Sequence, residues 1–142
     1  FPALAKLHQG SLPQLKKYYF SSLKLMGILG VLVFTCYLVI LPVMINILLP
    51  KYIPAIPVIQ LLSFTIPFMF IHTPSTLLLL SSEKYLKQVM FFSFIMMLFN
   101  VVFNLTFIPI FGVMAAAWIT VSSEALSFVI FFIFIQKKVF KV

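Results

Sequence analysis

A polar stripe interrupts one of the most apolar stretches of this sequence. Thr120, Ser123, Glu124 and Ser127 follow the spacing i, i+3, i+4, i+7, which places them on one face of an α-helix. If this stretch crosses a membrane, its carboxylate costs roughly 2.5–3.5 kcal/mol at the centre of the bilayer, so it needs a protein or water partner. We expect Glu124 to be a protonatable coupling group or a substrate contact. The alternative is a protonated carboxyl group that hydrogen-bonds a neighbouring helix.

Other polar side chains lie within two further apolar stretches. Asn100 and Asn104 are one helical turn apart, and such amides bond across helices with typical energies of about 0.6 kcal/mol and at most about 2 kcal/mol. Helix–helix adhesion is therefore the favoured interpretation, and contact with substrate or a coupling ion is the alternative. His72 has the chemistry to shuttle protons, although a single histidine is more often a hydrogen-bonded packing residue.

Two prolines lie deep inside the stretch that contains His72. Pro67 and Pro74 each remove a helix N–H, and each proline ring clashes with the carbonyl four residues before it. We expect both to kink the helix as hinge positions. In transporters such kinked helices often line the pathway, because their freed carbonyls need water or protein partners. The alternative is a kink that only improves packing.

Four long apolar stretches must position these side chains. A bilayer core about 30 Å thick is crossed by about 20 apolar residues of helix, and without water every backbone polar group in it must be bonded internally. The sequence therefore predicts an all-α, polytopic membrane helix bundle. Its four transmembrane helices are Leu25–Leu49, Ile56–Leu80, Val89–Ile108 and Val113–Ile135.

Composition excludes several classes of protein. The chain is 63% hydrophobic and only 8% charged, which leaves too little charge to cover a soluble domain. Its net charge of +8 comes from lysines alone, and without arginine the bidentate contacts favoured in nucleic-acid recognition are missing. Two acids, two histidines and the single Cys36 do not form a catalytic triad, a carboxylate pair or a metal site. We expect no enzyme activity, no metal and no cofactor.

The lysines predict the topology. Lysines are frequent before the first stretch, between the second and third, and after the fourth, whereas Lys51 is alone in the first connection and Pro109–Gly112 has none. By the positive-inside rule both ends of the chain are cytoplasmic. The chain is then a multi-pass membrane protein, with its lysines against anionic lipid headgroups.

Residues 1–24 precede the membrane region, which we assign to residues 25–142 with a basic cytoplasmic tail. We interpret residues 1–24 as the end of a preceding helix followed by a basic amphipathic linker. Ser11 and Gln14 have the spacing of a capping box, with Pro13 tolerated in the first turn. The mixed lysines and aromatics that follow predict an interfacial helix, with a short basic loop as the alternative.

Several segments resemble the polysaccharide flippases. Residues Asn100–Gly112 read N-V-V-F-N-L-T-F-I-P-I-F-G and resemble a family pattern N-x-x-x-N-x-x-x-I-P-x-x-G, which the family continues with x-x-G-A-A. Here Ala115 replaces the second glycine of that continuation. Ser123 and Glu124 then fall where the family often has an S-E pair.

Three shorter segments add to the resemblance. Phe1–Leu7 is similar to a P-x-L-(S/A)-x-L helix end, Pro50–Ala55 to an outer-loop Y-x-x-A, and Ser81–Lys84 occupies the place of a short cytoplasmic hinge. Together these segments, which span nearly the whole chain, resemble the C-terminal part of O-antigen (Wzx-like) flippases. These belong to the multidrug/oligosaccharidyl-lipid/polysaccharide exporter superfamily.

The resemblance implies a fold and a function. The four helices would be the ninth to twelfth of a two-lobed transporter, whose N-terminal lobe lies outside this chain. Such proteins translocate polyprenyl-diphosphate-linked oligosaccharides across the cell inner (plasma) membrane by alternating access, for lipopolysaccharide and other polysaccharide biosynthesis. The spans carry no lysine or arginine, so cations for the diphosphate would come from other helices. Two alternatives are a drug or cation exporter of the same superfamily and a tetraspan scaffold without transport. A membrane-embedded glycosyltransferase is a third possibility, but it would need carboxylates or arginines in its loops.

The polar stripe gives a direct test of function. Substituting Glu124→Gln removes the ionisable group and keeps nearly the same shape, so we expect transport to be abolished while expression stays normal. Full transport activity in this variant, measured at equal membrane abundance, would show that the carboxyl group has no functional role.

Overall fold

The computed structural model describes residues 12–140, which are helical nearly throughout and contain no strand. Five α-helices are joined by short irregular or 3₁₀ segments, and the last continues into a π-helix. The α-helices are α1 Leu12–Leu48, α2 Ile56–Ser63, α3 Thr65–Leu80, α4 Leu86–Phe111 and α5 Val113–Phe134. The 3₁₀ segments are Pro50–Ala55 and Glu83–Tyr85, and the π-helix is Ile135–Val139.

Four helical units are long and apolar enough to cross a membrane. They are Leu12–Leu48, Pro50–Leu80, Glu83–Phe111 and Val113–Val139. At a rise of 1.5 Å per residue, the shortest of them, with 27 residues, is about 40 Å long. The expected all-α bundle of four transmembrane helices is confirmed, and the chain is a multi-pass membrane protein.

The first helix is longer than the apolar stretch that predicts it. Residues 12–24, expected as a basic amphipathic linker with an interfacial helix, are the first turns of α1 and run into the span without a break. Leu15 and Tyr19 on these turns are almost completely buried, packed in one core cluster with Leu78 and Leu79 of α3. The apolar face of this segment is therefore covered by protein. Ser11 and the N-terminal motif Phe1–Leu7 lie outside the described residues.

The second span is interrupted between α2 and α3. The helix stops at Ser63 and restarts at Thr65, and the amide of Phe64 bonds the Leu61 carbonyl in a tight turn, N···O 3.1 Å. Pro67 explains the position of the break, because it lacks the N–H that would bond the Ser63 carbonyl four residues earlier. Pro74 is buried inside α3, which continues across it.

The third connection is a single residue. Helix α4 continues through Pro109 to Phe111, so Gly112 alone joins it to α5 and the expected loop Pro109–Gly112 is shorter than predicted. Gly112 has φ 66° and ψ −160°, a conformation that is essentially restricted to glycine. The tight reversal sets α4 and α5 side by side as antiparallel neighbours.

The helices pack as a row rather than as a closed square. Helix α3 packs against α1 on one side and α5 on the other, and α5 also packs against α2 and α4. The order across the bundle is therefore α1, then α2–α3, then α5, then α4. Like α3, helix α5 is a central helix of the row with neighbours on both sides, and its buried residues are Ala115, Ala117, Ile119, Ser123, Ser127 and Phe131.

Helices α1 and α3 cross most closely at Gly30. A Cβ atom added to Gly30 would lie 2.8 Å from Cβ of Phe70 and 3.1 Å from Cα of Pro67, closer than van der Waals contact allows. A Cβ atom on Gly27, one turn away, would lie 3.5 Å from Cγ2 of Ile71, an ordinary contact. Small residues thus set the distance between these two helices.

These two glycines form a matched pair for a stability test. We expect Gly30→Ala to destabilise the protein by roughly 1–3 kcal/mol, because the added methyl group forces α1 and α3 apart. Gly27→Ala should be neutral or slightly stabilising, since alanine is favoured over glycine in a helix by about 1 kcal/mol. Unfolding in mixed micelles, followed by far-ultraviolet circular dichroism, compares the two. Equal stability of both variants would contradict the close crossing.

Candidate functional site: polar side chains within the bundle

Two of the predicted site residues meet across the seam between α4 and α5. The Asn100 Nδ2 donates a hydrogen bond to the Ser123 Oγ at 3.1 Å. The Ser123 hydroxyl is buried and donates in turn to the Thr120 carbonyl at 2.9 Å. One buried hydroxyl therefore links a span to its neighbour and to its own helix, as expected of interhelical amide contacts.

Asn104 extends this network along α4. Its Nδ2 lies 2.7 Å from both the backbone carbonyl and the Oδ1 atom of Asn100, and donates to them. The Asn104 Oδ1 is buried and has no donor among the described residues. The Thr120 hydroxyl donates to the Ala116 carbonyl at 2.8 Å, within its own helix. The two asparagines and Ser123 thus form one continuous network, with one unused acceptor at its end.

Glu124 lies outside this network. Glu124 is half-buried, and within residues 12–140 its carboxyl group forms no hydrogen bond or ion pair. Seven residues separate it from Phe131, nearly two full turns, so both lie on the same face of α5. Phe131 packs on α3 and also on Phe92 of α4, so this face of α5 borders the second span without excluding α4. The predicted stripe therefore has two surroundings, because Ser123 bonds Asn100 and Glu124 lies on the face that borders α3.

His72 belongs to the α3–α5 side. Its ring lies edge-on to the Phe131 ring, with centroids 4.8 Å apart and an interplanar angle of 77°. Its Nε2 atom shares a hydrogen bond with the Thr76 hydroxyl at 3.1 Å. His72 thus has both a polar and an aromatic partner, as expected of a packing residue, and it lies on the same side of α5 as Glu124.

The break between α2 and α3 adds a polar residue that the sequence analysis did not select. Ser63 is buried, and its hydroxyl donates to the Gln60 carbonyl, while the Thr65 hydroxyl donates to the Leu62 carbonyl. The sequence does contain an indication of Ser63. It lies four residues before Pro67, and because proline has no N–H, the Ser63 carbonyl loses its usual helical donor. Two hydroxyls thus lie at the interruption between α2 and α3.

An aromatic groove runs along the other edge of the α4–α5 seam. Four phenylalanines spaced by four residues stack along α4 with centroid separations of 4.1, 5.7 and 6.1 Å. With Trp118 and Ser122 of α5 they line a groove of about 490 Å³. Their regular spacing was visible in the sequence but was not used. The four are Phe99, Phe103, Phe107 and Phe111.

The described residues contain no cluster of three histidine, cysteine or acidic side chains that could hold a metal ion. Comparison with protein-family models, with curated proteins and with solved structures gave no match. The site is therefore characterised by its geometry alone.

The hydrogen bond between Asn100 and Ser123 can be measured by a double-mutant cycle. For Asn100→Ala and Ser123→Ala we expect a coupling energy of about 0.6 kcal/mol, up to about 1.7 kcal/mol, as for other interhelical bonds in membranes. The control pairs Asn100→Ala with Thr106→Ala, because the exposed Thr106 hydroxyl bonds only the Val102 carbonyl of its own helix. That pair should be additive to within about 0.5 kcal/mol. Equal coupling in both cycles would show that the seam bond contributes nothing specific.

Proposed function

We propose that this chain forms part of a membrane transporter that moves a polyprenyl-diphosphate-linked oligosaccharide across the inner membrane by alternating access. The observation that carries the proposal is the interrupted second span beside a central helix with polar residues on two faces. Irregular backbone at membrane depth is tolerated where it is buried in protein or lines a wet cavity. Broken helices of this kind form the substrate and ion sites of many transporters.

The polar residues support transport more than a purely structural role. A bundle held together only by packing has no need of an unpaired carboxyl group inside a span, and Glu124 has no partner in residues 12–140. The free acceptor of Asn104 adds a second unused polar group on the opposite side of α5. A scaffold protein would gain nothing from either group.

The choice of substrate rests on the resemblance of Asn100–Gly112, Ser123 and Glu124 to the polysaccharide flippases. The lysines lie toward the ends of the helical units and outside the four apolar stretches, so the diphosphate would find its cations on other helices of the transporter. In this arrangement the oligosaccharide passes through the cavity, while the polyprenyl tail stays in the lipid. The lysine-bearing end is then the cytoplasmic one, facing anionic headgroups.

Reconstitution distinguishes this function from its alternatives. The protein expressed from its complete gene is placed in liposomes that contain a fluorescent polyprenyl-diphosphate oligosaccharide, and dithionite bleaches the label in the outer leaflet only. We expect bleaching to rise from about half of the label to nearly all of it, because the protein exchanges the lipid between leaflets. Liposomes without protein should stay near half.

Two outcomes would replace the proposal. Bleaching that stays near half, together with uptake of a cationic dye by the same liposomes, would identify a drug or cation exporter. Activity toward neither substrate would favour the scaffold.

A further inference from the structure

The level of Glu124 in the bundle follows from one contact. His72 of α3 touches Phe131 of α5, and Leu78, Leu79, Ile135 and Val139 belong to one cluster beyond it, so α3 and α5 run in the same direction. The contact between His72 and Phe131 therefore defines one level of the bundle, from which residues can be counted back along both helices.

Counting back places Glu124 beside the helix break. Glu124 lies seven residues before Phe131, and Phe64 and Thr65 lie eight and seven residues before His72. At 1.5 Å per residue both positions are about 10–12 Å from the His72–Phe131 contact, on the same side of it. Glu124 shares the helix face of Phe131, which packs on His72, and both α2 and α3 pack against α5. Residue 124 is therefore level with the break, on the face of α5 that borders the second span.

The break presents oxygen atoms that are suited to a cation. Pro67 leaves the Ser63 carbonyl without its usual amide donor. The hydroxyl of Ser63 donates its hydrogen to the Gln60 carbonyl, so the lone pairs of the hydroxyl oxygen remain available to coordinate a cation. Glu124, the only acid within the described α-helices, lies at the same level.

We propose that Glu124, the Ser63 carbonyl and the Ser63 hydroxyl form a binding site for Na⁺. Hard cations prefer carboxylate, carbonyl and hydroxyl oxygens, and carbonyls at interrupted transmembrane helices coordinate Na⁺ in other transporters. A single carboxylate balances one positive charge, which favours a monovalent over a divalent ion. This inference rests on the proposed transport function, for which Na⁺ is the coupling ion. Because the ligands lie on both α2 and α5, occupancy ties the broken span to the central helix.

Direct binding of Na⁺ tests the site without any transport assay. The purified full-length protein in nanodiscs is titrated with ²²Na⁺ in a choline buffer, with no sugar lipid present. We expect saturable binding that unlabelled Na⁺ displaces, and Glu124→Gln should weaken it by at least about tenfold, the equivalent of about 1.4 kcal/mol. Glu83→Gln is the matched control, because this acid is exposed in the loop before α4 and its loss should change nothing. Absence of saturable binding, or unchanged binding in Glu124→Gln, would overturn the site.

A second pair of variants tests the carbonyl separately. Pro67→Ala restores the amide hydrogen, which can then occupy the Ser63 carbonyl, so Na⁺ binding should be lost. Pro42→Ala, an equivalent change inside α1, should leave it intact. Both variants are compared as monodisperse protein by size exclusion. Full affinity in Pro67→Ala would overturn the role of the break.

The two proposals fail in different ways. Loss of lipid exchange with Na⁺ binding retained would refute the flippase and keep the ion site. Lipid exchange without Na⁺ binding would refute the ion site alone.

Discussion

The absence of water from the hydrocarbon core is the constraint on which this structure depends. An unbonded N–H or C=O group there costs several kcal/mol, so the chain satisfies its backbone through four long helical units. Every departure from a regular helix must then be explained by a local cause. In the described chain the chief departure at membrane depth is at Phe64, and its cause is Pro67. Ser63 is buried at this break, and its hydroxyl donates to the Gln60 carbonyl in the last turn of α2.

Helix α5 takes its importance from its position between two different neighbours. Toward α4 it presents Ser123, which accepts from Asn100 and closes a hydrogen-bonded seam. Toward α3 it presents Phe131, which packs on His72, and two turns earlier Glu124. On the first side a hydrogen bond joins α4 to α5, although the buried Asn104 Oδ1 there has no donor among the described residues, and the carboxyl group on the second side has no partner among residues 12–140.

Sequence patterns were sufficient for the elements but not for their arrangement. Hydropathy alone located the four spans, because each must contain about 20 apolar residues. It placed the start of the first helix too late, since residues 12–24 bury Leu15 and Tyr19 against protein and not against lipid. It also could not show that Ser123 and Glu124 face different helices, because a stripe on one helix does not specify what packs on either side of it. That information comes from contacts between distant residues, such as His72 with Phe131.

The packing is unequal along the bundle, which bears on the mechanism that we propose. The largest fully buried side chains of the described residues are all near the lysine-bearing ends of the helices, namely Tyr19, Phe131, Leu15, Leu78, Leu79, Ile135 and Ser75. Tyr19 and Ser75 share a buried hydrogen bond of 2.9 Å there, and the Tyr85 hydroxyl donates to the Lys138 carbonyl at the π-helix. Separating the helices at this end would expose a cluster of aromatic and aliphatic side chains and leave buried polar groups unpaired. At the opposite end α4 and α5 are joined by Gly112 alone, beside an open aromatic groove. Because local opening is least costly where few apolar contacts are lost, we expect the end with Gly112 to open first.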